Sequence, residues 1–390
     1  MIPVSEALDH LFRIVAPLSV ETAPLREAAG RVLAETVTSN RTQPPFAASA
    51  MDGYAVKGQE VERDCLFKVV GEAAAGHAWA GTLGAGQAVR IFTGAPLPAG
   101  SDCVVIQEDV TRKGDLITIT GDTRGATHVR PAGGDFHQGD PLTGPRILNA
   151  SDVALLASMS IASVPVMHRP VVALISTGDE LVMPGEIPGP DQIIASNTFG
   201  LAAMLEAHGA QTRILPIARE TKPSLRQTFE LAKSADLIVT IGGASVGDHD
   251  LVADVAADLG MEQAFYKIAM RPGKPLMAGR LGQTPMMGLP GNPVSALVCG
   301  RLFLIPVIQK MLGLGEAAPT QLSATLSRPL DQNGPREHYM RAHLQNGQIS
   351  AFDRQDSSLL SVLASANVLL VRPPHDPPRD VGEPVSYISL

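Results

Sequence analysis

The sequence predicts a multidomain α/β protein built around a doubly wound, mostly parallel sheet, with an inserted β domain, a discontinuous helical domain and a small C-terminal β domain. Three observations carry this. The chain has 390 residues, too many for one ordinary core and enough for roughly two to four domains. Between positions 169 and 313, short apolar runs alternate with amphipathic segments, as parallel strands covered by helices on both faces require. On both sides of that region, short β-rich runs stand between glycines and prolines.

The elements follow in order. Leu8, Leu11, Phe12 and Val15 form one apolar stripe after Ser5, and Leu25, Ala28 and Val32 repeat that spacing, so helix is expected through the first thirty residues. From Arg41-Thr42-Gln43-Pro44-Pro45 the pattern changes, and Cys65–Val70, Ala88–Phe92, Cys103–Gln107 and Leu116–Thr120 read as strands of an inserted β domain, 41–134. Helical pattern returns at Ser151-Asp152-Val153-Ala154-Leu155-Leu156, with Ser151 as expected N-cap. Segments 1–40 and 135–168 are therefore taken as one discontinuous helical domain. In 169–313 the expected order is strand Val171–Ile175, helix Ser196–Ala207 closed by Gly209, strand Arg213–Ile217 and helix Ser224–Ala232. Strand Leu237–Ile241, helix Leu251–Leu259, strand Tyr266–Ala269 and a long helix from Asn292 complete it. The tail, 314–390, returns to β pieces: Leu322–Leu326, His338–Leu344 and Val368–Val371.

Charge and cysteine usage narrow the function. Lys and Arg number 31 against 39 Asp and Glu, a formal net charge of −8, which argues against nucleic acid or an anionic membrane as main partner. An anionic ligand would need a local basic pocket. Cys65, Cys103 and Cys299 are too few and too widely spaced for a disulfide framework or a CxxC metal site. The start, Met1-Ile2-Pro3-Val4-Ser5-Glu6, lacks the pattern of a secretory signal, and the apolar stretch Leu289–Ile308 is interrupted by prolines and Arg301. These features give the expectation of a cytoplasmic protein.

In an open parallel sheet, ligands lie beyond the carboxyl ends of the strands. After Val171–Ile175 comes Ser176-Thr177-Gly178-Asp179-Glu180; after Leu237–Ile241 comes Gly242-Gly243-Ala244-Ser245-Val246-Gly247-Asp248-His249-Asp250. Glycines free backbone N–H groups to approach an anion, and the following helix favours phosphate at its positive end. A flexible turn would also use glycines, but the place directly between a buried strand and a helix favours phosphate binding. With neither GxGxxG nor GxxxxGK[ST] present, an ordinary NAD-dependent dehydrogenase or P-loop NTPase is disfavoured.

Asp179, Glu180, Asp248 and Asp250 bring four carboxylates to one rim, where a hard cation such as Mg²⁺ would sit between protein and phosphate. Lys267, Arg271 and Lys274 crowd a turn stiffened by Pro272 and Pro275, suited to an oxyanion. Leu289-Pro290-Gly291-Asn292-Pro293 opens the long helix, with Asn292 as cap and Pro293 near its first position.

Together these segments closely resemble the molybdopterin molybdenumtransferase family, the MoeA type that includes the E domain of gephyrin. The motifs run through nearly the whole chain: SAMDGYAV at 49–56, FTGAPLPAGSD at 92–102, RPAGGDF at 130–136, STGDELV at 176–182, GGASVGDHD at 242–250, RPGKP at 271–275 and LPGNPVSA at 289–296. The resemblance implies a MogA-like central domain and a C-terminal β barrel. It also implies a Mg²⁺-dependent enzyme that transfers molybdate to the dithiolene of adenylylated molybdopterin and releases AMP. Asp250 and Glu180 would serve the metal and adenylate hydrolysis, with Asp248 nearby and Gly242, Gly243, Ser245 and Gly247 cradling the ligand. Asp52, Thr93, Arg130 and Asp135 match positions that reach the site across a homodimer interface. Arg271 and Lys274, helped by Lys267, Arg341 and Ser357, would bind molybdate or phosphate, while Pro290 and Pro293 shape the pocket floor. A molybdopterin adenylyltransferase is the implied protein partner. The chain departs from the family at Ala47, Ala48, Gly134 and Ala195, and around Ser357, where Gln355, Asp356 and Ser358 stand in place of glycines. A non-catalytic paralogue that binds, carries or scaffolds the finished cofactor is the alternative.

Overall fold

The computed structural model describes residues 1–122, 127–243 and 251–390. They form two compact units: Thr22–Ala29 with Glu35–Val164, and Met1–Glu21 with Gly30–Ala34 and Pro165–Leu390.

The smaller unit is built on a six-stranded sheet in the order Cys103–Ile106, Gly53–Val56, Gln87–Ile91, Leu66–Ala73, Leu116–Ile119, Val110–Lys113. All neighbours are antiparallel except Leu66–Ala73 with Gln87–Ile91. Alternation buries both faces: Tyr54, Val56, Phe67 and Val105 on one, Ala55, Val89, Ile91 and Val104 on the other. The helix Ala150–Ser158 begins two residues earlier than expected: Asn149, not Ser151, is the N-cap. Asn149 and Asp152 form a reciprocal capping box, because an acid three residues on can reach back to the cap N–H.

The expected helix through Leu25–Val32 does not form. Pro24 and Gly30, the latter at φ 75°, leave room only for the single 3-10 turn Leu25–Glu27, flanked by strands Val20–Pro24 and Val32–Leu33. The first helix is Val4–Ile14, burying Val4, Ala7, Leu8, Leu11 and Phe12.

The larger unit carries a second six-stranded sheet, ordered Gln211–Ile214, Val171–Ser176, Leu237–Ile241, Thr284–Leu289, Met277–Leu281, Met261–Tyr266. The first four are parallel, and Met277–Leu281 pairs antiparallel with Thr284–Leu289 on one side and Met261–Tyr266 on the other. The expected strand Tyr266–Ala269 is displaced toward the N-terminus, since Lys267 at φ 70° ends the extended run. Val172, Leu174 and Val239 pack on one face and Ala173, Ile175 and Ile238 on the other, so the sheet is doubly wound. From Val171–Ser176 the chain goes outward to Gln211–Ile214 and returns on the other side to Leu237–Ile241, placing the topological switch between the first and last of these.

The helix from Pro293 to Met311 includes a π-helical turn, Gly300–Leu304, and continues through Arg301 and Pro306 rather than breaking there. Among the described residues it is the one helix long and apolar enough to cross a membrane, and 78% of its apolar window is buried within the fold.

In the tail, Glu337–Gln345 pairs with both Gln348–Ala351 and Val368–Arg372, closing a five-stranded barrel with Leu322–Leu326 and Pro384–Ser389. Leu326, Ala342, Ile349, Leu370 and Val385 fill it. The short strand Met270–Arg271 adds in parallel to its rim, with Arg271 opposite His338.

Candidate active site

At the topological switch lies a cavity of about 620 Å³, lined by Thr177, Glu180, Glu220, Gly242, Gly243, Pro275, Pro290, Asn292, Pro293 and Ser358 among others. Hydrogen bonds join the strand ends that form its base: Thr177 N donates to Ile241 O at 3.0 Å and Gly242 N to Leu289 O at 3.1 Å. Gly242 and Gly243 are required here. Their φ values are 90° and 67°, and a Cβ would lie 2.7 Å from Thr177 O in the first case and 2.3 Å from Val252 Cγ2 in the second. Ser245, Gly247, Asp248 and Asp250 lie outside the described residues.

Of the four carboxylates expected on the rim, Asp179 and Glu180 fall among the described residues. Asp179 accepts a hydrogen bond from Glu220 N at 3.0 Å, and Arg219 donates to the carbonyls of Asp179 and Leu181, so Asp179 ties two loops together. Glu180 lines the cavity, its carboxylate folded over Gly178. Glu220 joins it there. The sequence reading missed Glu220, although it also follows a parallel strand, Gln211–Ile214, and the strand-end rule covers it. Among the described residues no group of three His, Cys, Asp or Glu side chains could hold a metal.

Asn292 is the N-cap by position, but its side chain makes no capping bond; it donates to Ser357 Oγ at 3.1 Å. Val294 N donates to Ser357 O at 3.1 Å, so the helix start and the Ser357 loop are bonded together. Pro290 and Pro293 both line the cavity. Ser358, whose N and Oγ donate to Asp356 Oδ1, lines it too.

The cations divide by environment. Lys267 places its ammonium 4.8 Å from the Tyr266 ring centroid. Arg271 is exposed and Lys274 half-buried, between Gly273 and the cavity-lining Pro275. Gly273 adopts φ 110°, and a Cβ on it would lie 2.5 Å from Cys299 Sγ. Arg341 is fully buried, at 0% exposure. Its Nη2 donates to Asp356 O at 3.0 Å and to Arg354 O at 3.4 Å, while Nε and Nη1 have no partner among the described residues. Burial lowers its pKa, and the charge of Arg271 adds to that. His338, 7% exposed, also has an unpartnered Nε2; burial and then Arg271 push it down to about 4, so it is neutral at physiological pH.

In the smaller unit, Asp52 Oδ1 accepts from Thr93 N at 2.7 Å and from Thr93 Oγ1 at 2.8 Å. Those bonds, the backbone one first, hold the Asp52 carboxyl below the usual range. Arg90 stacks 5.1 Å from the Tyr54 centroid and 4.8 Å from that of Phe92. Arg130 and Asp135 are exposed at the two ends of the turn in which Gly133 N donates to Pro44 O and Gly134 N to Pro131 O.

Comparison with known proteins bears on what such a site is for. Family models match in chain order: the MoeA N-terminal region (domain I and II) over residues 2–160, a probable molybdopterin binding domain over 173–310, and the MoeA C-terminal region (domain IV) over 323–390. A molybdopterin molybdenumtransferase of Nostoc sp. is 36% identical across 99% of this chain and 93% of its own. The chain belongs to the MoeA family. A Haemophilus influenzae member of that family, also a molybdopterin molybdenumtransferase, is 35% identical over 91% of this chain and 90% of its own. The crystal structure of a MoeA protein from Pyrococcus horikosii is 30% identical and superposes with a TM-score of 0.85, covering 100% of this chain and 99% of the other. MoeA membership accounts for the doubly wound domain and for the closed barrel that follows it.

Proposed function

We propose that this protein is a molybdopterin molybdenumtransferase, which transfers molybdate to the dithiolene of adenylylated molybdopterin and releases AMP in a Mg²⁺-dependent step. The observation that carries the reading is Arg341: a buried guanidinium with Nε and Nη1 unpartnered among the described residues. Leaving two such donors dry costs on the order of 1–3 kcal/mol each. An oxyanion would satisfy both, with more stabilisation than a neutral acceptor gives. Arg341 is held by the carbonyls of Arg354 and Asp356, and the adjoining Ser357 is bonded to Asn292 at the cavity wall.

The division of labour follows from charge. Arg271, Lys274 and Arg341 gather a tetrahedral dianion and fix its position for the two sulfurs. Gly242 and Gly243 leave the backbone open beside the phosphates. Glu180 and Glu220 supply two carboxylates in one cavity, which fits Mg²⁺, an ion usually held by one or two carboxylates together with substrate phosphate oxygens. Such an ion offsets charge on the phosphate being cleaved. Asp248 and Asp250 complete the proposed metal set, and Asp250 assists attack of water on the adenylate. Asp52, held by Thr93, and Asp135 are the proposed catalytic carboxylates that a second copy of the chain would supply in a homodimer, with Arg130 as a further cation.

The same reading includes a cytoplasmic homodimer supplied by a molybdopterin adenylyltransferase. Its test is a reconstitution with purified protein, adenylylated molybdopterin, Mg²⁺ and molybdate, following AMP. AMP released only when molybdate and Mg²⁺ are both present supports it. Tight binding of the pterin with no AMP released under any condition would leave a binder or carrier instead.

A further inference from the structure

Three neighbouring strands at the barrel rim set Arg271, His338 and Arg372 in one row: Arg271 pairs in register with His338, and His338 with Arg372. Residues directly opposite one another in a sheet share a face, with Cβ atoms roughly 5 Å apart. Arg372 is satisfied within the fold, bonded to Asp376 Oδ2 and donating to Pro377 O at 2.8 Å and to Asp331 O at 3.1 Å. Arg271 is exposed and solvated. His338 between them is neither: it is 7% exposed, and its Nε2 is buried with no partner among the described residues.

The carboxylates on the neighbouring elements are engaged elsewhere. Asp376 takes Arg379 as well as Arg372, with Arg379 Nη2 donating to Oδ1 at 2.6 Å. Glu337, the adjacent residue in the strand, projects to the opposite face and is hydrogen-bonded to Tyr339. The remaining charged groups around the imidazole are the guanidiniums of Arg336 and Arg341. An orphaned imidazole nitrogen inside a ring of cations is a place an anion completes: it supplies the missing partner and offsets the charges that keep the ring neutral.

We infer that His338 is a further binding residue of the oxyanion site, given that Arg271 and Arg341 are the oxyanion-binding cations proposed above. A tetrahedral dianion gathered by Arg271 is hydrogen-bonded by His338 Nε2, and one proton from solvent moves onto the imidazole as the anion binds. Burial and the arginines push the free imidazole down to about 4, and the bound dianion returns it toward the ordinary histidine range near ~6.5. The sign of the linkage follows. A group that holds its proton more tightly in the complex makes binding tighter as pH falls, by at most about tenfold per pH unit between the two values, and leaves it flat above them.

Sulfate is the probe for the pH profile, because it stays a dianion throughout, with molybdate beside it at neutral pH. Calorimetric titration of the full chain in buffers of different ionisation enthalpy counts the protons taken up. The expected result is close to one proton per sulfate at about pH 5, with Kd tightening about fivefold or more from pH 6 to pH 5. The proton count needs only the wild type. H338Q, which keeps a hydrogen-bonding side chain of similar reach but does not titrate, should lose both the proton and the slope. Sulfate bound without proton uptake, or the same uptake in H338Q, overturns this inference and leaves the oxyanion site standing. Failure of both dianions to bind overturns it together with the oxyanion site.

Discussion

Replacing Arg341 by Met separates a functional guanidinium from a structural one. In the wild type, Nε and Nη1 are buried without partners among the described residues, a penalty of about 2–6 kcal/mol for the two. Against this stand two hydrogen bonds to backbone carbonyls, one of them long at 3.4 Å, which together contribute about 3–5 kcal/mol. Repulsion from Arg271 subtracts further. Methionine keeps the unbranched stem and most of the volume. The opposing terms then nearly cancel, and R341M should change unfolding free energy by less than about 2 kcal/mol in urea denaturation, compared with about 2–5 kcal/mol for truncating an ordinary buried side chain. Molybdate affinity should respond very differently. Removing a desolvated cation from a dianion is worth about 2–5 kcal/mol, at least thirtyfold in Kd by calorimetry. A variant destabilised by more than about 4 kcal/mol that still binds molybdate at wild-type strength would refute the reasoning, because Arg341 would then be holding the barrel loop and nothing else.

Gly243→Ala meets both a left-handed backbone and Val252 Cγ2 at 2.3 Å, so a loss of about 2–4 kcal/mol is expected by denaturant titration; a loss below 0.5 kcal/mol would mean that the loop relaxes freely. Asp250→Asn should abolish molybdate-dependent AMP release while pterin binding persists, and undiminished release would remove that residue from the proposed hydrolysis. Asp52 has its folded pKa depressed by Thr93, so its contribution to stability is complete above the ordinary aspartate value near ~3.9 and disappears as pH falls through the lowered one. Urea midpoints of the wild type should therefore fall more steeply than those of D52N as the pH drops from 5 toward 2; parallel curves would show that the Thr93 bonds do not select the ionised carboxylate.

Much of the site was legible because it obeys local rules. Gly242, Gly243 and Glu180 follow buried parallel strands, and that placement needs only the apolar period and the glycines to be recognised. Pro290 and Pro293 line the cavity beside them. One miss in the fold has a local cause. Leu25, Ala28 and Val32 have helical spacing but too little chain between Pro24 and Gly30 to use it. The bond from Glu220 N to the Asp179 carboxylate joins residues 41 apart, which no local pattern shows.

Periodicity along the chain was enough for the doubly wound sheet, and ordered motifs through its whole length were enough for the family. These depend on periodicity and on residues that few backbones demand, and both are written in neighbouring letters. Only the tertiary structure shows that Arg341 is buried without a full set of partners and that Asn292 reaches Ser357 rather than capping its own helix. Each of those depends on desolvation or on a contact between distant segments. The free energy of a charge is set by what surrounds it, and no stretch of sequence specifies its surroundings.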